Sequence, residues 1–185
     1  MLLNLICNRV FIDESPIKLF IMGVNEWRNE TEWPLARTKW EKWYLHSGGN
    51  ANTVEGDGTL STDPQIDEAS DEFDYNPEFP VQTIGGNNCC SPNIVPWGPY
   101  DQRPVEMRPD VLCYTSDVLE TDVEITGPIK LILYASTDGL DTDWTAKLID
   151  VSETGYAMNL CDGIIRARFR EGFEEPLLLA PNEIY

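Results

Sequence analysis

Cations are scarce in this sequence. Thirteen Lys and Arg stand against 32 Asp and Glu, a formal net charge of −19 over 185 residues. Phosphate contacts need clustered cations, so this balance excludes a nucleic-acid binder by composition. It argues equally against an anionic membrane surface as partner. Histidine is scarcer still, with His46 alone, which excludes zinc motifs that space two histidines. No run of about 18 apolar residues is present, so no transmembrane helix is predicted. Also missing are a Gly-x-Ser-x-Gly elbow, a Gly-x-Gly-x-x-Gly or Walker phosphate loop, and a Cys-x-x-Cys pair. The apolar run at the start is short, no cation precedes it, and no small-residue cleavage site follows, so no signal peptide is predicted. The five cysteines, Cys7, Cys89, Cys90, Cys113 and Cys161, lack the spacing of a disulfide-rich secreted module. Free thiols in a reducing, cytoplasmic compartment are the expectation. Adjacent Cys89 and Cys90 leave open a vicinal disulfide, a soft metal site or two small loop residues.

What is present is β-rich. Apolar residues do not recur at helical spacing over long windows, and short runs of strand formers are bounded by Gly, Pro, Asn and Asp instead. Strands are predicted at Ile17–Met22, buried on both faces, and at Trp40–His46 and Val111–Tyr114. Further strands are predicted at 122–126, with Val123 and Ile125 inward, and at 128–136, 145–151, 156–160 and 164–169. Gly127-Pro128 and Glu153-Thr-Gly155 read as turns. The pattern predicts one antiparallel all-β sandwich. Two stretches read as long surface loops: the acidic segment Gly48–Pro80, which holds no Lys or Arg, and the Gly-, Asn- and Pro-rich segment Gly85–Pro109. Phe73, Tyr75 and Phe79 are candidates to pin the first loop to the sandwich.

Candidate chemistry is sparse. Any Ser-His-Asp triad would have to use His46, whose chain neighbour is Ser47. Adjacent side chains rarely meet with the required geometry, so His46 is expected at a strand end, hydrogen-bonded to backbone. Asp138, Asp141 and Asp143 place three carboxylates within six residues. They read either as a weak Ca²⁺ site or as turn caps through Asx bonds, and no cofactor or resident metal is predicted. Trp27, Trp33, Trp40 and Trp43 suggest either sugar stacking or buried aromatics. Trp40 and Trp43, three apart, would face opposite sides of a strand, so at least one is expected in the core.

Several strings taken together are distinctive. Phe20-Ile-Met-Gly-Val-Asn-Glu-Trp-Arg28, Glu32-Trp-Pro34, Leu45-His-Ser-Gly-Gly49 and Asp57-Gly-Thr-Leu-Ser61 occur in order. Pro80-Val-Gln-Thr-Ile-Gly-Gly86, Asp101-Gln-Arg-Pro104 and Arg108-Pro-Asp-Val-Leu-Cys-Tyr-Thr115 follow. Asp141-Thr-Asp-Trp-Thr-Ala-Lys-Leu-Ile-Asp-Val151 and Leu160-Cys-Asp-Gly-Ile-Ile-Arg-Ala-Arg168 complete the set. The chain thereby resembles the C-terminal jelly-roll domain of the CocE/NonD hydrolases, from about Asp13 to Tyr185. That family includes cocaine esterases and glutaryl and amino-ester acylases and is related to the X-prolyl dipeptidyl-peptidases.

The resemblance implies a β-jelly roll of the galactose-binding-like kind. It places the acyl-serine chemistry in a preceding α/β-hydrolase domain, none of whose catalytic residues maps onto this chain, so the chain alone is expected to be inactive. It implies that the jelly roll packs on that domain and helps wall its cleft, with Cys89, Cys90 and Trp97, in the loop after Gly85-Gly86, as the cleft-facing candidates. Residues 1–12 do not resemble the family's linker, and the family continues beyond the equivalent of Tyr185 with further strands. The jelly roll at 13–185 is therefore expected to be truncated and to self-associate through an open sheet edge. The alternatives are a sugar- or Ca²⁺-binding module and a subunit that docks onto a separate α/β-hydrolase.

Overall fold

The computed structural model describes residues 15–185 other than 90 and 92. Among these residues, every sheet is a two-stranded antiparallel ribbon, and the α-helix Arg103–Glu106 is a single turn. The all-β antiparallel class expected from the sequence is the class the chain adopts. Residues divide into two compact units, the described part of the first being 15–41 with 121–130 and the second 42–120 with 131–185.

In the first unit β1 (Ile17–Ile21) pairs with β2 (Glu26–Glu30), with Ile17 opposite Glu30 and Ile21 opposite Glu26. The four residues between them turn through Gly23 at φ +88° and Asn25 at φ +57°. The first of these is a conformation glycine adopts at no steric cost. Burial alternates along β1 rather than covering both faces. Leu19 lies on the half-buried face, whereas Phe20 is exposed and stacks across the pair on Trp27 at 5.3 Å between ring centroids. Arg28 grips Glu124 with two bonds from Nη1, at 2.8 and 2.7 Å. Thr38 donates its hydroxyl to the Thr126 carbonyl at 3.1 Å. These bonds hold 121–130 beside the hairpin.

In the second unit β3 (Tyr44–His46) pairs with β4 (Thr59–Ser61), placing His46 opposite Thr59 and Tyr44 opposite Ser61. The loop between them folds on Asp57, whose carboxylate accepts the Gly48 and Asn50 N–H groups at 3.0 and 3.2 Å. Residues 112–115 run alongside. Cys113 N–H donates to Ala51 O at 2.8 Å, and Leu60 N–H to Thr115 O at 3.0 Å. The approach is so close that a Cβ built on Gly58 would lie 2.0 Å from the Cys113 carbonyl oxygen. β5 (Asp143–Val151) pairs with β6 (Ala157–Arg166) through a register shift at Leu148/Ile149 that leaves Leu160 as the extra residue of a bulge. The Ser152–Tyr156 turn joins them, with Gly155 at φ +77°. The C-terminal residues lie along 135–140: Ala135 and Tyr185 exchange both backbone bonds, at 3.1 and 3.0 Å, and Leu179 N–H reaches Leu140 O at 2.8 Å.

Several expected strands do not form. Trp40–Trp43 is irregular and only Tyr44–His46 is strand. Neither Trp40 nor Trp43 is core, both being exposed. Residues 111–114 make isolated bridges rather than a strand. The segments 122–126 and 128–134 join no ladder among the described residues. Val123 and Ile125, expected inward, are 53% and 55% exposed. Alternation marks a face suited to burial, but a strand exists only where a neighbouring strand accepts its backbone bonds. Conversely, 156–160 and 164–169 are not two strands. The bulge lets one strand run continuously through 157–166, and 167–169 closes as a 3₁₀ turn. All three loop aromatics are exposed, Phe73 the least of them, and Phe73 packs edge-on against Trp144 at 6.3 Å.

Candidate functional site

The loop proposed from the sequence is built on a narrow neck. Gly86 and Gly98 exchange backbone bonds at 2.7 and 3.0 Å. Gly85 and Gly86, at φ +65° and +91°, turn the chain into the loop. A Cβ on Gly85 would lie 2.6 Å from Gly98 O, so a side chain is excluded at that position of the neck. Below it, Gln102 is 1% exposed and organises the base. Its Nε2 donates to Ile84 O at 2.8 Å and Tyr100 O at 3.0 Å, and its Oε1 accepts Lys147 Nζ at 2.6 Å. Burial lowers the pKa of Lys147 from its usual value, opposed by the charge of Asp162. Asn159 on β6 accepts the Tyr100 N–H at 2.7 Å. The loop is thus bolted to the β5–β6 ribbon through buried polar bonds, each of which would be costly to leave unmade.

On this loop Cys89, Ile94 and Trp97 are all exposed, Trp97 by 52%. Cys90 lies outside the described residues. Cys89 is disulfide-bonded, which corrects the expectation of free thiols throughout. Cys113 and Cys161 are free.

The three acidic candidates for Ca²⁺ do not converge. Asp141 binds Arg168 through its N–H at 2.9 Å and its Nε at 2.5 Å. Asp143 faces Arg166 across the β5–β6 ladder in a two-pronged pair, each bond 2.8 Å. That guanidinium holds the Asp143 carboxyl below the usual carboxylate range, against a smaller effect of burial. Carboxylates whose two oxygens are both taken by an arginine are poor ligands, because a cation must first displace that partner. Among the described residues no group of three His, Cys, Asp or Glu side chains could hold a metal ion.

His46 is not bonded to backbone alone, as expected from the sequence. Its Nδ1 lies 2.6 Å from Glu68 Oε1 and its Nε2 3.1 Å from Ser61 Oγ. Ser61 is reached because it sits diagonally across the β3–β4 pair on the same face as His46. Glu68 arrives from the acidic loop, and its second oxygen accepts the Ser47 N–H at 3.2 Å. The connectivity is that of a serine–histidine–carboxylate relay. However, the Ser61 hydroxyl oxygen also accepts the Asp63 N–H at 3.1 Å and so sits inside a local turn. Ser47 does not meet His46. Its hydroxyl donates to Asp71 at 2.6 Å, and Asp71 also accepts the Ala51 N–H at 2.7 Å and the Tyr114 hydroxyl at 2.6 Å. Sequence reading missed Ser61, Glu68 and Asp71. Ser61 could have been found from strand register, but nothing in the spacing marks the two loop carboxylates.

Comparison with known proteins settles the family. Residues 8–185 match the X-Pro dipeptidyl-peptidase C-terminal non-catalytic domain, and the chain belongs to that family. It is 46% identical over 169 residues to the cocaine esterase of Rhodococcus sp. (strain MB1 Bresler), covering 91% of this chain and 29% of that protein. Among solved structures it resembles an aminopeptidase from a marine-sediment Thaumarchaeota archaeon, at TM-score 0.70 and 27% identity over 94% of this chain and 29% of the other. It also resembles an α-amino acid ester hydrolase, at TM-score 0.70 and 28% identity over 94% and 30% of the two chains. The chain therefore spans less than a third of each of these relatives. The CocE/NonD resemblance and the domain's non-catalytic character hold.

Proposed function

We propose that this domain serves a serine hydrolase of the ester- or amide-cleaving kind. It packs on an α/β-hydrolase catalytic domain and walls its cleft, while the acyl-serine chemistry stays in that partner. The carrying observation is the 46% identity with a cocaine esterase of which this chain matches 29%. It stands together with the absence of a nucleophile elbow from the 185 residues. In this reading the 85–98 loop is the cleft-facing element. Trp97 and Cys89 are its contact residues, with Cys90 beside them in sequence. The rigid neck supports that assignment, since a wall must hold its shape while substrate passes. Self-association through unpaired backbone belongs to the same reading and is supported by Ile132 and Tyr134, exposed by 67% and 83%. A cytoplasmic location is supported by the free thiols of Cys113 and Cys161. The disulfide at Cys89 counts against it. No helix among the described residues is long and apolar enough to cross a membrane.

The test has two arms. The purified chain is treated with a fluorophosphonate probe, and no labelling is expected. Stoichiometric labelling lost in Ser61→Ala or His46→Ala would overturn the division of labour and make the relay a nucleophilic site. The chain is then mixed with the separately expressed catalytic domain of the Rhodococcus esterase and passed over a sizing column. Co-elution is expected, and two unshifted peaks at ten-micromolar concentrations would remove the docking role.

A further inference from the structure

An imidazole is among the groups that hold the acidic segment after β4. Glu68 binds His46 Nδ1 at 2.6 Å and the Ser47 N–H at 3.2 Å. Gln65 donates its side-chain amide to the Leu45 carbonyl of β3. Asp71 closes the far end on Ser47, Ala51 and Tyr114. Of these attachments the His46–Glu68 bond is the one with a partner, the imidazole, that changes charge near neutral pH, while Glu68 stays ionised there. We propose that His46 is a proton-operated latch that fastens residues 62–71 to the β3–β4 hairpin, tight while the ring is an imidazolium and slack once it is neutral.

The geometry supplies both states. As imidazolium, His46 presents an N–H on each nitrogen, and each has an acceptor: Glu68 on Nδ1 and Ser61 Oγ on Nε2, with the Asp63 backbone also favouring the charged ring. When the Nε2 proton leaves for solvent, Nδ1–H still donates to Glu68. Nε2 becomes an acceptor, and the Ser61 hydroxyl rotates to donate into it. The ion pair is then reduced to a hydrogen bond between a neutral ring and an anion, which is weaker. The charged side chains facing the ring are Glu68 and Asp63, both acidic. No cation among its described neighbours compensates when the ring loses its charge.

The sign follows from the partners. The Glu68 bond raises His46 above the usual 6.5, against partial desolvation. The His46 bond likewise depresses Glu68 below the usual 4.5. The histidine contribution is complete below pH 6.5 and lost as pH rises through its folded value. The glutamate contribution is complete above pH 4.5 and lost as pH falls through its own folded value. The latch is therefore tightest between those limits and slackens on the alkaline side.

Because His46 is the sole histidine, its ring protons titrate as one unambiguous NMR signal in the whole chain. Amide exchange of Ser47, whose N–H is bound by Glu68, and of Asp63, whose N–H is bound by Ser61, is followed over the same pH series, corrected for intrinsic rate and referenced to the β1–β2 hairpin. Protection is expected to fall about two- to fivefold across the His46 titration, the range set by a solvent-accessible ion pair. His46→Gln keeps side-chain hydrogen bonding without the charge and should flatten the dependence, as should Glu68→Gln. Constant protection in the unaltered chain through the His46 midpoint overturns the proposal. So does an unchanged pH dependence in His46→Gln. If that variant does not fold, Glu68→Gln decides by the same criterion.

Discussion

Asn159 Oδ1 accepts the Tyr100 backbone N–H at 2.7 Å and receives Gln102 Nε2 at 3.3 Å. One buried amide on β6 thus satisfies the chain on its way out of the 85–98 loop. Both Gln102 and Asn159 are almost fully buried. Removing either leaves polar atoms unpaired in a place water does not reach, and the penalty is that of desolvation without a bond. Asn159→Ala is expected to destabilise by about 1–3 kcal/mol, read as a lower urea midpoint at unchanged slope. In a whole esterase, the proposed wall role of this loop predicts that the same change disturbs substrate affinity more than turnover.

Close approach at Gly58 makes a second expectation. A methyl group there meets the Cys113 carbonyl oxygen and the Ala51 side chain, both backed by hydrogen-bonded chain. Gly58→Ala should cost about 1–3 kcal/mol and lower Tm by several degrees. Gly163 is the control. It lies within β6 with no neighbour within 4 Å of its added Cβ. Gly163→Ala should leave Tm unchanged or raise it, because it restricts the unfolded chain without a clash. Equal losses at both positions would refute the argument from space.

The two free thiols differ in setting. Burial, aided by the Glu106 carboxylate, pushes Cys113 up to about 11, whereas Cys161 is exposed on β6. The thiolate is the reactive form. Iodoacetamide at about pH 8 should therefore modify Cys161 well before Cys113, as peptide mapping would show. Glu106→Gln should speed Cys113 only slightly, since burial is the larger cause.

Asp71 carries the acid limb of the β3–β4 region. Burial favours its neutral form, yet the Ser47 and Tyr114 hydroxyls and the Ala51 N–H outweigh it and keep its pKa below the usual 3.8. A depressed carboxyl contributes stability that is complete above 3.8 and lost as pH falls through the folded value. Asp71→Ala should lower the urea midpoint near neutrality and make the fall on acidification shallower. A parallel curve displaced uniformly to lower stability would show that the carboxylate's charge is not what Asp71 contributes.

Calcium provides a fifth check. With Asp141 and Asp143 matched to Arg168 and Arg166, millimolar Ca²⁺ should leave Tm unchanged, since a native-state ligand would raise it. A saturable rise abolished by Asp138→Asn would restore the binding-module reading.

Much of the architecture was legible in residues alone. A short apolar run marked β1, alternation marked β5, Gly155 marked the turn between β5 and β6, and the ordered strings marked the family. The lack of a ladder at 122–126 and 128–134 was not legible. Ile129, Leu131 and Leu133 carry the right period, but period describes a side-chain face and says nothing of whether a neighbour is there to receive the N–H and C=O groups. The continuous β6 was also hidden, because a bulge at Leu160 flips the pattern partway and makes one strand read as two.

By itself the sequence determined class, charge and kinship. Apolar period, turn residues and motif order are local or linear properties, and they survive without coordinates. Tertiary structure alone decided the contacts that link distant positions. His46 meets Glu68 22 residues away, and Asn159 meets Tyr100 at a separation of 59. Arg168 engages Asp141 through its backbone N–H and Nε, and the Arg166 guanidinium grips Asp143 with two bonds. Such pairings depend on register and loop path, and no short-range rule of propensity or spacing contains them.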